Sequence, residues 1–251
     1  MVPQHLLLEA RSAARPTSTG WSAQGSSEQA NKPASAKELD KYIIWDIKLI
    51  MNIQERKKVT GGLSKPSKMP GYAYNLPATE CNVGAKLVKV PGSVCHGCYA
   101  LKGRYRFPNV KEAMNRRLCS LDREDWAATM AADINARTSR WFRWHDSGDL
   151  QSLEHLRKIF QVCRLTAGVA HWLPTREAGI LSKLGPEEVP ANLTIRLSAT
   201  MINGSPPKSW PMTSTVVTEG ASCPAPKQGN ACKDCRNCWD KNIKNIAYGL
   251  H

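Results

Sequence analysis

The sequence predicts an α/β protein: a parallel sheet with crossover helices, partial (β/α) barrel-like, carrying a Cys-rich metal-binding segment at its C-terminal end. Two observations carry this prediction. Short apolar, strand-like runs alternate with amphipathic helical stretches, and several of those runs stop at a group of polar residues. A third observation concerns chemistry: seven of the nine cysteines fall into two groups.

The elements follow in chain order. Residues from about Ser12 to Ser35 are dominated by Ser, Ala, Gln, Gly, Thr and Pro, so residues 1–50 are expected to be a disordered or weakly structured extension. A native start at Met51 is the alternative to a start at Met1. Asn109 to Leu121 sets Val110, Met114, Arg117-Leu118 and Leu121 at helical spacing, and a second helix is expected from Arg123 to Arg137 behind an Asp122 cap. Trp141 to Trp144 reads as a strand ending in His145-Asp146-Ser147-Gly148-Asp149. Leu150 to Leu165 reads as an amphipathic helix with Leu153, Leu156, Ile159-Phe160 and Cys163 on one face. Strands are then expected at Val169–Leu173, Leu193–Leu197 and Thr215–Thr218. The first two end on Thr175-Arg176-Glu177 and Ser198-Ala199-Thr200. Parallel strands joined by right-handed crossovers bind ligands at their carboxyl ends, where these polar residues gather. The expected organisation is an α/β domain over 51–220, with the three-cysteine site, and a Cys-rich segment over 221–251.

Composition narrows the classes. The 251 residues, 41% hydrophobic, can bury a sizeable core. No apolar run approaches the roughly 20 residues of a spanning helix; Tyr42 to Met51 is broken by Asp46 and Lys48. Leu6-Leu7-Leu8 lacks the basic flank of a secretory signal. No membrane partner is expected, and the cysteines belong in a reducing, cytoplasmic compartment, where they bind metal or do chemistry. The formal charge is +14, and thirteen of those charges fall on residues 51–251. The protein is basic where it is folded.

The C-terminal cysteines, Cys223, Cys232, Cys235 and Cys238, are spaced C-x8-C-x2-C-x2-C, with Pro224 after the first. Three cysteines in one short stretch with a remote cysteine-proline resemble ferredoxin-type [4Fe–4S] ligation, in reversed order. A structural zinc site is the alternative. The other group, Cys81, Cys95 and Cys98, is one ligand short of a closed tetrahedral site, as a catalytic metal or cluster requires. His96 lies inside the C-x2-C turn, where it is expected to point away. Cys119 and Cys163 lie on expected helices and read as small buried hydrophobes.

Lys68-Met69-Pro70-Gly71, the Cys81…Cys95-x2-Cys98-Tyr99-Ala100 group, Phe142 to Asp149, Trp172 to Glu177, Asn192 to Ser198 and the Cys-rich C-terminus together resemble the phage family called gene product eighty-eight. If the chain is phage-encoded, its compartment is the host cytoplasm. The layout is also similar, more distantly, to radical S-adenosylmethionine enzymes, in which three cysteines hold a [4Fe–4S] cluster whose open iron is chelated by S-adenosylmethionine. That resemblance implies Cys81, Cys95 and Cys98 as cluster ligands. It implies Ser147-Gly148-Asp149 as the segment holding the methionine amino group, and Arg196 and Ser198 as partners of its carboxylate or ribose. Trp144, Trp172 and His145 would shield a 5′-deoxyadenosyl radical. The C-terminal group would resemble an auxiliary cluster, and an electron donor such as flavodoxin or ferredoxin would be a partner. The family's C-x3-C-x2-C spacing is replaced here by thirteen residues in the first gap. Loop closure costs only logarithmically more for the longer gap.

His145 and Asp146 are candidate catalytic residues, alternatively a divalent-metal pair of a nuclease or phosphohydrolase with Asp149. Asp149 also reads as a cap for a helix starting at Leu150. Lys102, Arg104, Tyr105 and Arg106, followed by Lys111, Arg116 and Arg117, interleave basic and aromatic side chains as a nucleic-acid or nucleotide contact does. Three functions therefore compete. They are radical chemistry on a nucleic acid or nucleotide, non-catalytic metal-stabilised nucleic-acid binding, and metal-dependent hydrolysis.

Overall fold

The computed structural model describes residues 51–185 and 188–250; the expected N-terminal extension and the choice of start lie outside the described residues. Its frame is one sheet of six parallel strands in consecutive order: β1 Tyr72–Tyr74, β2 Trp141–Trp144, β3 Ala170–Thr175, β4 Leu193–Ile202, β5 Thr213–Val217 and β6 Asn245–Gly249. The register runs Ala73 beside Arg143, Arg143 beside Trp172, and Trp172 beside Thr194. Two strands escape the sequence reading. β1 spans three residues, too few to display a period, and β6 lies inside the segment assigned to metal binding. β4 continues past Leu197 to Ile202, because its last residues bind a loop described below.

The helices are α1 Ile53–Thr60, α2 Asn82–Leu87, α3 Pro108–Ser120, α4 Trp126–Asn135, α5 Leu153–Leu165 and α6 Ala178–Leu181. Asn52 and Glu55 form a reciprocal cap on α1, and Gly61 at φ +76° ends it. The helix expected from Arg123 starts three residues later, since Asp125 holds Arg123 in a two-bonded pair outside it. α5 starts at Leu153 rather than Leu150, and its cap is Ser152, whose hydroxyl accepts from His155 N–H at 3.0 Å.

Strand alternation divides the sheet into two chemically different faces. Tyr74, Phe142, Trp144, Leu173, Leu193, Ile195 and Leu197 join Trp126, Met130, Leu156, Ile159 and Phe160 of the helices in one core. Each such buried side chain contributes about 1.5–3 kcal/mol. Tyr74 and Trp126 meet edge-to-face at 5.7 Å, and the Trp126 indole N–H donates to the Tyr74 hydroxyl at 3.2 Å. The opposite face presents Arg143, Trp172, Thr194, Arg196 and Ser198, and the Cys-rich segment packs there through Cys238, Trp239, Ile246 and Tyr248. No helix of the described residues is long and apolar enough to cross a membrane.

Candidate functional site

The carboxyl ends of β1, β2 and β3 meet the three-cysteine loop. After β1 the chain reaches Cys81 at the N-terminus of α2 and returns through Gly92–Val94 to Cys95 and Cys98. The long first gap is built structure. Part of it is α2, and its end is tied to β4: Val94 N–H donates to Thr200 O and Ile202 N–H to Gly92 O, each at 2.9 Å. Ser93 closes the turn, donating to Leu87 O at 2.6 Å and accepting from His96 N–H at 3.1 Å. The His96 ring turns outward to Val88 O at 2.9 Å.

Gly84 of α2 is where two of the cysteines approach. A methyl group there would stand 2.8 Å from Cys81 Cβ, 3.5 Å from Cys81 Sγ and 3.8 Å from Cys95 Sγ. The two sulfurs therefore flank one glycine. Burial pushes the Cys81 thiol up to about 12, and Asp149, Cys98, Cys95 and Glu177 act in the same direction. Burial also raises Cys95, while Arg176 opposes it. Among the described residues, no three His, Cys, Asp or Glu side chains are grouped closely enough to hold one metal ion. The sulfurs around a single tetrahedral zinc would lie about 3.8 Å apart.

The strand-end loops are lashed together behind the cysteines. Asp149 is buried, and its carboxylate accepts from Leu150 N–H at 2.8 Å, Thr175 Oγ1 at 2.6 Å and Arg176 N–H at 2.8 Å. These bonds tie the end of β2 to the end of β3, so the carboxylate is spent on the frame rather than on a helix cap. Glu177 accepts from Val83 N–H at 2.9 Å and so anchors α2. Its place among polar residues at the end of a strand was the signal for this role. Gly148 has φ +75°, and a Cβ there would lie 2.6 Å from Leu76 Cβ. Ser147 completes the junction, donating from Oγ to Leu76 O at 2.8 Å.

His145 and Asp146 are both buried and both incompletely paired. Among the described residues His145, at φ 53°, has no partner for either ring nitrogen, and its ring lies 5.4 Å from that of His155. Burial holds both histidines neutral, His145 far below its ordinary value and His155 at about 3. Asp146 accepts from Asn75 Nδ2 and Tyr105 Oη through Oδ2, each at 3.4 Å, while Oδ1 has no partner among the described residues. Tyr99, next to Cys98, donates to Asp146 O at 2.5 Å. Trp172 sits on the opposite face of the sheet from His145's neighbour Trp144, which is a core residue.

The C-terminal cysteines lie against the sheet face that carries Arg143 and Arg196. Cys232 N–H donates to Lys68 O at 2.8 Å and Cys223 N–H to Ala247 O at 3.0 Å, while Cys238 Sγ contacts Tyr248 Oη at 3.2 Å. Burial pushes the Cys238 thiol up to about 11, with Tyr248 and Arg143 opposing and Cys223 reinforcing. Burial raises Cys232 too, and Cys223 and Cys235 add to the rise.

Several residues stand elsewhere than the sequence reading placed them. Arg196 is fully buried and donates to Cys238 O, Ile243 O, Asn237 O, Asp240 O and Thr213 O, so it pins the Cys-rich segment instead of facing a cofactor carboxylate. Ser198 is buried against Ser214 at 2.9 Å. Arg117 is buried, donating to Gly62 O at 2.6 Å and to Asn75 Oδ1, and is no surface contact for nucleic acid. Its spacing with Met114 and Leu121, on the apolar side of α3, was the signal. Arg116 is exposed but paired with Glu112 at 2.6 Å. Lys102, Arg104 and Arg106 are exposed and Tyr105 is half-buried. Cys163 lies in the core, whereas Cys119 is exposed.

The family model described as Gene product 88 matches residues 48–241. Against curated proteins and against solved structures the chain has no match.

Proposed function

The chain belongs to the Gene product 88 family, and we propose that its three-cysteine loop holds a [4Fe–4S] cluster working with S-adenosylmethionine in radical chemistry on a nucleic acid or nucleotide. The observation that carries this reading is the placement of Cys81, Cys95 and Cys98 at the carboxyl end of the first of six consecutive parallel strands, beside the Ser147-Gly148-Asp149 turn that ends the second. A consecutive order of parallel strands is also that of (β/α) barrels, which place their chemistry at that end, and this supports the reading.

The donor set suits a cluster. Two sulfurs flank Gly84 with the third cysteine in their electrostatic field, and a cubane sets its ligand sulfurs farther apart than a single ion does. An entering cation would displace the protons of the raised thiols into solvent, so loading would release protons. Cys81, Cys95 and Cys98 would hold the cluster, which would supply one-electron chemistry for cleaving the sulfonium bond of S-adenosylmethionine.

The chain's own residues hold and shield. Glu177 anchors α2 in the loop that carries the cysteines, and Asp149 joins the strand ends behind it. Asp146, with Oδ1 free and Tyr99 on its carbonyl, is the acceptor left for the ligand's ammonium group. Gly148 lets the backbone of the β2 turn close against Leu76. The C-terminal cysteines, pinned by Arg196, would carry a second cluster or a structural zinc.

Anaerobic purification with metal analysis and electron paramagnetic resonance tests the reading. Iron with a reducible cluster whose spectrum shifts on adding S-adenosylmethionine is the expected result, and stoichiometric zinc without iron would overturn it. Cys98→Ala is expected to lose that spectral shift.

A further inference from the structure

A cavity of about 360 Å³ opens on the flank of the three-cysteine loop, between the turn after β1, the segment that follows Cys98, and α3. Its wall includes Leu101, Tyr105 and Met114, its polar lining Asn115, and its charged lining Arg106 and Lys111. The volume falls at the small end of the range for ligand cavities, which gives room for one nucleotide-sized molecule.

The charges on this cavity differ from those around it. Arg116 is neutralised by Glu112, and Arg117 is buried under backbone carbonyls. Arg106 and Lys111 are both exposed, and neither has an ion-pair partner among the described residues. Two uncompensated cations beside one cavity attract an anion, and an arginine matches the geometry of a phosphate. The apolar wall then selects for a flat apolar body on that anion.

Tyr105 is held as a platform for such a body. Its hydroxyl reaches Asp146 Oδ2 at 3.4 Å, and its ring lies 5.8 Å from the ring of Tyr99. An aromatic ring fixed in advance stacks a base without further ordering cost. Asn115 offers an amide that can both donate and accept. The platform also connects the cavity to Asp146 at the end of β2.

We propose that this cavity binds one nucleoside 5′-phosphate, its base against Tyr105 and its phosphate on Arg106 and Lys111. The nucleotide is either free or one unit of a single strand, since both present the same chemistry. This names the substrate class of the reading above and rests on it for the reaction that follows, whereas the binding itself requires no cluster.

The test is isothermal titration of the full chain with AMP, GMP, CMP and UMP, with adenosine and inorganic phosphate as the two halves, and with a ten-nucleotide single-stranded DNA. At least one monophosphate is expected to bind about tenfold or more tighter than either half, because each charge-assisted contact contributes on the order of tenfold. The double variant Arg106→Ala/Lys111→Ala is expected to lose that margin while keeping its melting temperature. Oligonucleotide binding that is tighter than that of the monophosphates and lost in the same variant assigns the nucleotide to a polymer; binding no tighter assigns a free nucleotide. No monophosphate binding beyond inorganic phosphate, or undiminished binding by the double variant, would overturn the proposal. Nucleotide binding by a chain without iron leaves this inference standing and sinks the cluster. A cluster that responds to S-adenosylmethionine without nucleotide binding does the reverse.

Discussion

The guanidinium of Arg143 lies 4.5 Å from the centre of the Trp172 ring, and no carboxylate of the described residues forms an ion pair with it. Among the described residues its Nε has no hydrogen-bond partner, while its side chain also contacts the Met69 sulfur at 3.9 Å and the Tyr99 hydroxyl. Tyr99, Asp146, Tyr248 and Cys238 all sit within its field. A cation so placed connects the loop of Cys98 with the C-terminal cysteine group.

Arg143→Gln is therefore expected to remain folded, losing about 1 kcal/mol with the cation–π contact. Its larger effect is expected on the C-terminal cysteines, because Arg143 favours the thiolate forms of Cys232 and Cys238. If that group holds a metal, as proposed above, a chelator is expected to strip it from this variant faster than from the parent. Equal rates of stripping would show that Arg143 does not support that group.

Arg196→Lys is expected to cost about 3–5 kcal/mol in urea unfolding, because a single ammonium cannot serve the carbonyls of Cys238, Ile243, Asn237 and Asp240 together. The same variant is expected to expose Cys238 to alkylation in the native state. A loss below about 1 kcal/mol would mean that the packing of Trp239 and Ile246 alone holds the segment.

Gly148→Ala combines a left-handed φ of +75° with a contact of 2.6 Å to Leu76 Cβ. The expected cost is at least about 2 kcal/mol. Thermal unfolding measures it, and an unchanged melting temperature would refute the close approach of the β2 turn to β1.

His155 gives a pH dependence with a defined sign. Its folded value is held at about 3 by burial, below the ordinary 6.5, so the unfolded chain binds the extra proton. The stability it contributes is complete above about pH 6.5 and falls as pH drops toward 3, by about 1.4 kcal/mol per pH unit. Asp146 and Asp149 are raised by burial and act oppositely. The difference between parent and His155→Gln removes their contribution. The slope of unfolding free energy between pH 4 and 6 is expected to be shallower in the variant by that amount.

Much of the frame was legible because periodicity reports burial on one face. Trp141–Trp144 reads with its observed bounds, and Leu193–Leu197 and Leu153–Leu165 fall within the expected strand and helix, from alternation and helical spacing. β1 did not, because three residues make no period, and the cap of α5 went to Ser152 because only the folded chain shows where Asp149 sends its carboxylate. Arg117 and Arg196 show the same limit for charge. A guanidinium reads as a surface group or an anion site until the fold supplies backbone carbonyls to receive it.

The sequence by itself determined the grouping of the cysteines, the alternation of strands and helices, and the basic excess on residues 51–251, since spacing, period and charge are properties of the chain. Tertiary structure alone decided the rest. It tied the long gap after Cys81 to the end of β4, so that Cys81 and Cys95 flank Gly84. It set the C-terminal cysteines on the sheet face of Arg143 and left Arg106 and Lys111 without an ion-pair partner among the described residues, beside a cavity. Which groups meet is settled by hydrogen bonds between residues distant in sequence, and no local pattern records those.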